Sequence, residues 1–502
     1  MRTDSISCKA WKVTGEYMKK NTKVIIGILS LIVFLGAVLT VILLLPSDDG
    51  IEDKMSESAD IFLINRPQSS VDEVTVRNAG GEYQILGYDY SETLLPNEKE
   101  DIPFIYTMQG YENSLLSKYM TDNLVKECQM VAATRVVDRS GKKYADYGLD
   151  KPSVEVKVIY SDSSKAELYF GDEAPDKSGT YCRINGDKNV YLVNSGSIDM
   201  FFVDKLQMFD KKLTGELSDD ENISSIDISG KGYEEPIVIT AQKNDVLMGE
   251  RIMTSPRREV CNNSYATEFA TGFYDLTISN VAAAEVKADD IKRFGLSEPY
   301  MDIKISTDKE NDVNILVSEK DGDGNCYIMC RGGNIIYRAD EDEFKRYGIT
   351  YREFLSSNIY NPDLSNANAA EIFYQDKIYN YSIERKHDIN DMYEEYIVID
   401  VYHNGKNVSY GNIMGFVTDL SNIQRTNDIP ETLDGYEKIF YINLKFTDSD
   451  YMLELYRDGK NNTLAVVDGN IECIVDTGFV QAILDQTEKI PTESTVEIIE
   501  NS

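Results

Sequence analysis

The sequence contains few of the residues from which metal centres and acid–base sites are usually built. Two histidines occur in 502 residues, and the seven cysteines form no Cys-x-x-Cys pair. His387 and His403 lack the spacing of zinc ligands. The Walker loop, Gly-x-Ser-x-Gly and His-Glu-x-x-His are also missing. We therefore expect no enzymatic activity, and no catalytic, cofactor-binding or metal-binding residue.

Positive charge is also scarce. The chain has 51 Lys and Arg against 86 Asp and Glu, which gives a formal net charge of −35. Because a nucleic-acid-binding protein needs a basic face, this balance excludes nucleic acid as a partner. An apolar content of 42% can fill several cores, and the length suggests about three domains of about 150 residues each.

One long apolar run interrupts this acidic chain. Val24 to Leu45 form 22 residues without a charge, and a helix of that length, about 33 Å, can cross a hydrocarbon core of about 30 Å. Basic residues dominate the preceding segment and acidic residues follow the run, so the short N-terminal tail is predicted to be cytoplasmic and the remainder extracytoplasmic. A cleaved signal is disfavoured, because the run is long and no small-x-small site follows. We expect a single-pass anchor in the cell membrane.

The cysteines outside the membrane are widely scattered: Cys128, Cys182, Cys261, Cys326, Cys330 and Cys473. An even number in an oxidising space could pair, although disulfide scaffolds are normally short and Cys-dense. Cys326 and Cys330 lie four residues apart in a predicted strand, about 13 Å along one face, and cannot bond each other without a bend.

Internal repetition is the most informative feature. "VAATRVV" and "YGLDKPSVEVKV" return as "VAAAEVK" and "FGLSEPYMDIKI" about 150 residues later, and a diverged third copy contains "INLKF". The repeats predict a cytoplasmic tail (1–23), a transmembrane helix (24–45), a linker (46–65), repeat unit 1 (66–213), repeat unit 2 (214–361), a diverged repeat unit 3 (362–490) and a tail (491–502).

Each unit reads as a strand-rich α+β fold with antiparallel sheets. In "VEVKV" the apolar Val154, Val156 and Val158 alternate with charged residues, which is typical of a strand with one buried face. Residues 121–133 and 265–283 are predicted to be helices that cover the sheet. In the Gly-Leu-x-x-Pro box, Gly148 and Gly295 are expected at positive φ, and the leucines that follow them are expected in a core.

The triplet Asp476-Thr477-Gly478 resembles the signature of an aspartic peptidase. In the repeat alignment, however, it occupies a strand-to-helix corner where Asn194 and Asp340 lie in the other units, and such corners favour capping residues. A peptidase needs two carboxylates that share a proton, which only a homodimer could supply here. The helix cap is therefore the preferred interpretation, with the peptidase as a remote alternative.

The segment "DGDGNC" from Asp321 suggests a calcium loop. Cys326 occupies the position that requires glycine, and no glutamate closes the twelfth place. A hairpin turn is the better prediction.

Together, the anchor and the sequence segments "YGLDKP" and "FGDEAPDKSGTYCRINGDKNVYLV" resemble the bacterial family known as domain of unknown function 4340. The resemblance covers Tyr147 to Phe202 and Phe294 to Ala339, and it weakens beyond Asn361. It implies a non-enzymatic accessory or scaffold subunit of an ABC-type export system, with a permease and an ATPase as partners, and it implies no catalytic residue. The acidic surface and the diverged third unit depart from ordinary members. With 33 tyrosines, a cell-wall glycan or peptide binding module is the alternative.

Overall fold

The computed structural model describes residues 61–66, 71–88, 105–112, 114–241, 246–389, 395–426 and 430–492. The predicted cytoplasmic tail and transmembrane helix lie outside these residues. Within the part of the chain that is described, no helix is long and apolar enough to cross a membrane. Apart from Ile61, the described residues belong to one compact unit, which begins at Phe62.

The strands form three sheets that follow one another along the chain. The first contains β1 (Ile61–Asn65), β2 (Val71–Asn78), β3 (Gly81–Tyr88), β4 (Ile105–Met108), β5 (Met130–Asp138), β6 (Val154–Tyr160), β7 (Lys165–Glu173), β8 (Thr180–Ile184) and β9 (Val190–Val193). Its spatial order is β1-β5-β9-β8-β7-β6-β2-β3-β4. The pairings from β5 through to β4 are antiparallel.

The second sheet contains β10 (Ile223–Ser229), β11 (Ile237–Thr240), β12 (Ile252–Ser255), β13 (Glu259–Val260), β14 (Asn280–Ala284), β15 (Met301–Thr307), β16 (Val313–Val317), β17 (Cys326–Cys330) and β18 (Ile335–Ala339). The third contains β19 (Ala369–Tyr374), β20 (Lys377–Ile389), β21 (Glu395–His403), β22 (Lys406–Val408), β23 (Tyr436–Lys445), β24 (Asp450–Asp458), β25 (Thr463–Val467) and β26 (Asn470–Val475). Their orders are β13-β12-β11-β10-β15-β16-β17-β18-β14 and β22-β21-β20-β19-β23-β24-β25-β26.

The three sheets share the order of their central strands. A central antiparallel pair, β2–β6, β10–β15 or β19–β23, has a hairpin arm on one side and a meander on the other. In the first two sheets a further strand, β5 or β14, pairs with the last meander strand. The third sheet has no counterpart of that strand among the described residues. The expected repeat architecture and the antiparallel, strand-rich fold are confirmed.

Among the described residues the helices are few and short: α1 (Lys118–Gln129), α2 (Asn263–Thr271), α3 (Ala288–Arg293), α4 (Tyr410–Ser421) and α5 (Thr477–Leu484). The predicted helices at 121–133 and 265–283 are confirmed over their N-terminal parts and wrong over their C-terminal parts. Helices α1 and α2 end at Gln129 and Thr271, and the "VAA" words lie in β5 and β14. There Val131 and Ala133 are both buried, with the period of two that sheet pairing imposes, and this overrides the helix propensity of alanine.

The core forms where alternating strands face the helices. Val154, Val156 and Val158 are buried, as predicted. In the third sheet, Leu444 of β23 shares one buried cluster with Phe416 of α4. The apolar face of each central strand therefore lies in a core, and its polar residues occupy the opposite, outer face of the sheet.

The Gly-Leu-x-x-Pro box has the predicted structural role. Gly148 has φ +70° and Gly295 has φ +72°, which L side chains rarely adopt. Leu149 and Leu296 are each 1% exposed. Leu296 packs in a small separate cluster that includes Met329 of β17.

Candidate functional site

Asp476 caps a helix, as the repeat alignment predicts. Its Oδ1 accepts the backbone N–H of Phe479 at 2.7 Å, in the first turn of α5. At the matching corners, Asn194 Oδ1 and Asp340 Oδ1 each accept a backbone N–H, at 2.9 Å and 3.0 Å. The Asp-Thr-Gly triplet is thus a capping corner that recurs in all three sheets.

The Asp321 segment is the turn of the β16–β17 hairpin. Asp321 Oδ1 accepts the backbone N–H groups of Asp323 and Asn325, each at 3.0 Å, and the N–H of Gly324 bonds back to the Asp321 carbonyl at 3.0 Å. The hairpin prediction is confirmed. Within the described ranges, no three His, Cys, Asp or Glu side chains are grouped to hold a metal ion.

The six cysteines from Cys128 to Cys473 carry free thiols in the structure. Cys326 and Cys330 lie at the two ends of the single strand β17, as predicted. Burial raises the pKa of both thiols to about 11. Because the thiolate is the reactive form, this shift disfavours reaction of both thiols.

Two arginines and two glutamates alternate in a buried network between the second and third sheets, here called the junction network. Arg257 and Glu259 lie at the β12–β13 turn, Arg425 follows α4, and Glu472 lies in β26. Arg257 contacts Glu259 at 2.9 Å and Glu472 at 2.7 Å. Arg425 contacts Glu259 at 2.8 Å and also contacts Glu472.

The junction network is almost fully removed from water. The side chains of Glu259 and Glu472 are 3% and 1% exposed, and those of Arg257 and Arg425 are each 14% exposed. Burial raises the pKa of Glu259, while the two arginines oppose the shift. Burial also disfavours the charged form of Arg425 and so lowers the pKa of its guanidinium group. Each buried charge therefore depends on two opposite charges. The contacts Arg257–Glu472 and Arg425–Glu259 link the second sheet to the part of the chain that forms the third.

Further contacts tie the sheets to one another. Arg258, next to the network, donates to the Asp450 carbonyl at 2.9 Å and to Asp468 at 3.0 Å in the third sheet. Between the first and second sheets, Ser114 Oγ accepts the N–H of Glu285 at 3.0 Å. The three sheets are thus bonded in series.

The outer face of the third sheet carries an open polar depression of about 540 Å³. We call it the third-sheet trough, and the side chains of interest in it are Glu371, Asn380, Ser382, Glu384, Tyr402 and Lys445. They come from four strands, β19, β20, β21 and β23. The trough therefore exists only when the strands are paired.

Strand periodicity places these side chains on one face. In β19, Ala370 and Ile372 are buried in the core, so Ala369 and Glu371 point to the other side. The strand register then sets which residues lie beside them. Glu371 is paired with Asn380 of β20. Ala369 is paired with Lys445 of β23, on the opposite side of β19.

An aromatic surface continues from the trough on the same face. The rings of Phe373 and Tyr441 stack at 5.4 Å with an interplanar angle of 9°. Ile378, paired with Phe373, is 55% exposed. We call these three residues the aromatic platform. The Tyr441 hydroxyl donates to Glu371 Oε1 at 2.7 Å, which joins the platform to the trough.

Several trough groups are available to a ligand. The side chains of Ser382, Glu384 and Lys445 make no hydrogen bond or ion pair with any residue that the structure describes. Together they offer a hydroxyl, a carboxylate and an ammonium group, and the platform offers an apolar ring surface. This arrangement is suited to binding.

The model of the family described as Domain of unknown function (DUF4340) matches residues 107–289 and 277–427. The chain belongs to this family. The two overlapping matches agree with the repeated sheets, and the resemblance drawn from the sequence is confirmed. No curated protein and no solved structure matches the chain.

The DUF4340 matches include most of the trough but end before Tyr441 and Lys445. Sequence reasoning missed both the trough and the junction network. The alternation in "AAEIFY" indicates which residues leave the core, but it does not reveal their neighbours. Some tyrosines fill the core, since Tyr360 and Tyr451 are buried and stack at 5.0 Å.

Proposed function

We propose that the protein is a membrane-anchored extracytoplasmic scaffold, an accessory subunit of an ABC-type export system without a catalytic centre of its own. The observation that carries this proposal is the junction network. Four charged side chains are buried where the second and third sheets meet, and we infer that they fix the relative orientation of these sheets. A series of firmly joined sheets suits a subunit that must hold a defined shape outside the membrane.

Charge and sequence support the proposed location. The apolar run at 24–45 supplies the anchor, and the net charge of −35 keeps the exported body away from anionic lipid. The body is then held near the membrane only by its anchor, within reach of a permease. The ATPase would be reached through the permease, on the cytoplasmic side.

Crosslinking in intact cells tests this proposal. The full chain is crosslinked, extracted in detergent and purified through a tag, and the co-purified proteins are identified by mass spectrometry. We expect a permease and an ATPase to be enriched. The control carries residues 1–60 fused to an unrelated soluble domain. Equal recovery with this control, or recovery of neither protein, would contradict the proposal.

A second candidate function is a cell-wall glycan or peptide binding module. The observation that favours it is the third-sheet trough, with its free polar groups beside the half-buried rings of Phe373 and Tyr441. Retention of the full chain on purified cell wall tests it, and absence of retention would count against it.

A further inference from the structure

The backbone at the floor of the third-sheet trough is already fully paired. All six residues of β19 pair with β20 on one side and with β23 on the other. From Tyr381 onward, β20 is paired with β21. Because peptide recognition by strand addition needs a free edge, a peptide cannot be added as a strand beside β19. Over β19, a ligand must therefore be recognised by side chains rather than by strand pairing.

The side chains suit a ligand that is rich in hydroxyl groups. Glu384 can only accept hydrogen bonds and Lys445 can only donate them, whereas the Asn380 amide and the Ser382 hydroxyl can do both. A sugar hydroxyl is likewise both donor and acceptor. The stacked rings of the platform add a flat apolar surface, against which the face of a sugar ring can pack.

The charge of the site restricts the ligand further. Two carboxylates, Glu371 and Glu384, and one ammonium group, Lys445, line the trough of a chain of net charge −35. This balance repels polyanions. Along β19 the surface from Ala369 to Phe373 spans about 14 Å. This length can contact several consecutive repeating units of a linear polymer.

We propose that the third-sheet trough and the aromatic platform form a binding site for a linear, uncharged glycan. The inference deepens the second candidate function and rests on it, and it is independent of the exporter proposal. The trough supplies hydrogen bonds along the strand, and the platform supplies stacking at one end.

Calorimetric titration of the full chain in detergent micelles tests the inference. The probes are the linear hexasaccharide of N-acetylglucosamine, a hexasaccharide of galacturonic acid and a hexapeptide of alanine. We expect only the first to bind. Phe373→Ala removes one platform ring and Glu384→Gln removes an exposed charge, and each is expected to weaken binding about tenfold. Tyr119→Ala, at a residue 74% exposed on α1, is the matched control and should bind unchanged.

The outcomes distinguish failure of the glycan site in the trough from failure of the second candidate function. No binding of the neutral hexasaccharide, or binding that neither variant weakens, overturns the glycan site. Preference for the polyanion or the peptide overturns it as well. If the chain is retained on cell wall while the neutral hexasaccharide does not bind, the second candidate function stands and the trough assignment fails. Glu384→Gln keeps the test decisive should Phe373→Ala fold poorly.

Discussion

Replacing Arg425 with alanine tests whether the junction network holds the second and third sheets together. Arg425 is the only residue of the network outside the β12–β13 turn and β26, and it contacts both buried glutamates. After its removal, Arg257 alone must compensate Glu259 and Glu472. One carboxylate then stays buried without an opposite charge.

The size of the loss can be bounded. Breaking a buried ion pair by removing one partner costs about 3–5 kcal/mol. The carboxylate can instead take up a proton. At pH 7, protonating a glutamate whose ordinary pKa is 4.5 costs about 3.4 kcal/mol, because each pH unit above the pKa adds about 1.36 kcal/mol. We therefore expect a loss of about 3 kcal/mol at pH 7. Because the variant's folded state binds the extra proton, the loss should shrink as the pH falls towards 5.

Amide hydrogen exchange in β13 and β26 measures this loss locally, which avoids assuming that the whole chain unfolds in one step. We expect exchange through opening of the junction to accelerate about a hundredfold at pH 7 and less at pH 5. The control is Arg293→Ala, at an exposed residue that contacts Asp290 at 3.2 Å, where the change should stay below about 0.5 kcal/mol. If Arg425→Ala accelerated exchange no more than the control, or if its effect grew towards pH 5, our reasoning would be refuted.

Three further predictions concern single residues. Gly148→Ala should lower the free energy of unfolding by about 1–2 kcal/mol in urea titrations, because φ is +70° and a Cβ would lie 2.6 Å from the carboxyl carbon of Asp172; an unchanged midpoint would contradict this. Burial raises the pKa of Glu127 to about 7, so the folded state holds a proton more tightly than the unfolded state, and stability should fall as the pH rises from about 5 to 8. Glu127→Gln should flatten that slope in thermal unfolding, and an unaltered slope would count against the assignment. Asp476→Ala should cost about 1 kcal/mol through loss of the α5 cap, whereas Asp476→Asn should cost little because the amide oxygen can accept the same N–H; equal costs for both variants would argue against capping.

Local patterns predicted much of the fold. The alternation in Val154 to Val158 identified the buried face, because a strand's side chains alternate whatever its neighbours are. The glycine of the "YGLDKP" box and the cap at Asp476 were predictable for a similar reason, since both depend on a few consecutive residues. The "VAA" words were misread as helix because alanine favours helices locally, and only pairing with β9 and β18 makes them strands.

The sequence by itself determined the repeats, the strand faces and the corners, because these follow from periods of two and from short turn and cap patterns. Only the tertiary structure decided which strands and side chains meet. Arg257 and Glu472 are 215 residues apart, and the trough brings together residues from β19 to β23. Such contacts carry no local signal, since they form only when burial across whole sheets outweighs the entropy lost in closing long loops.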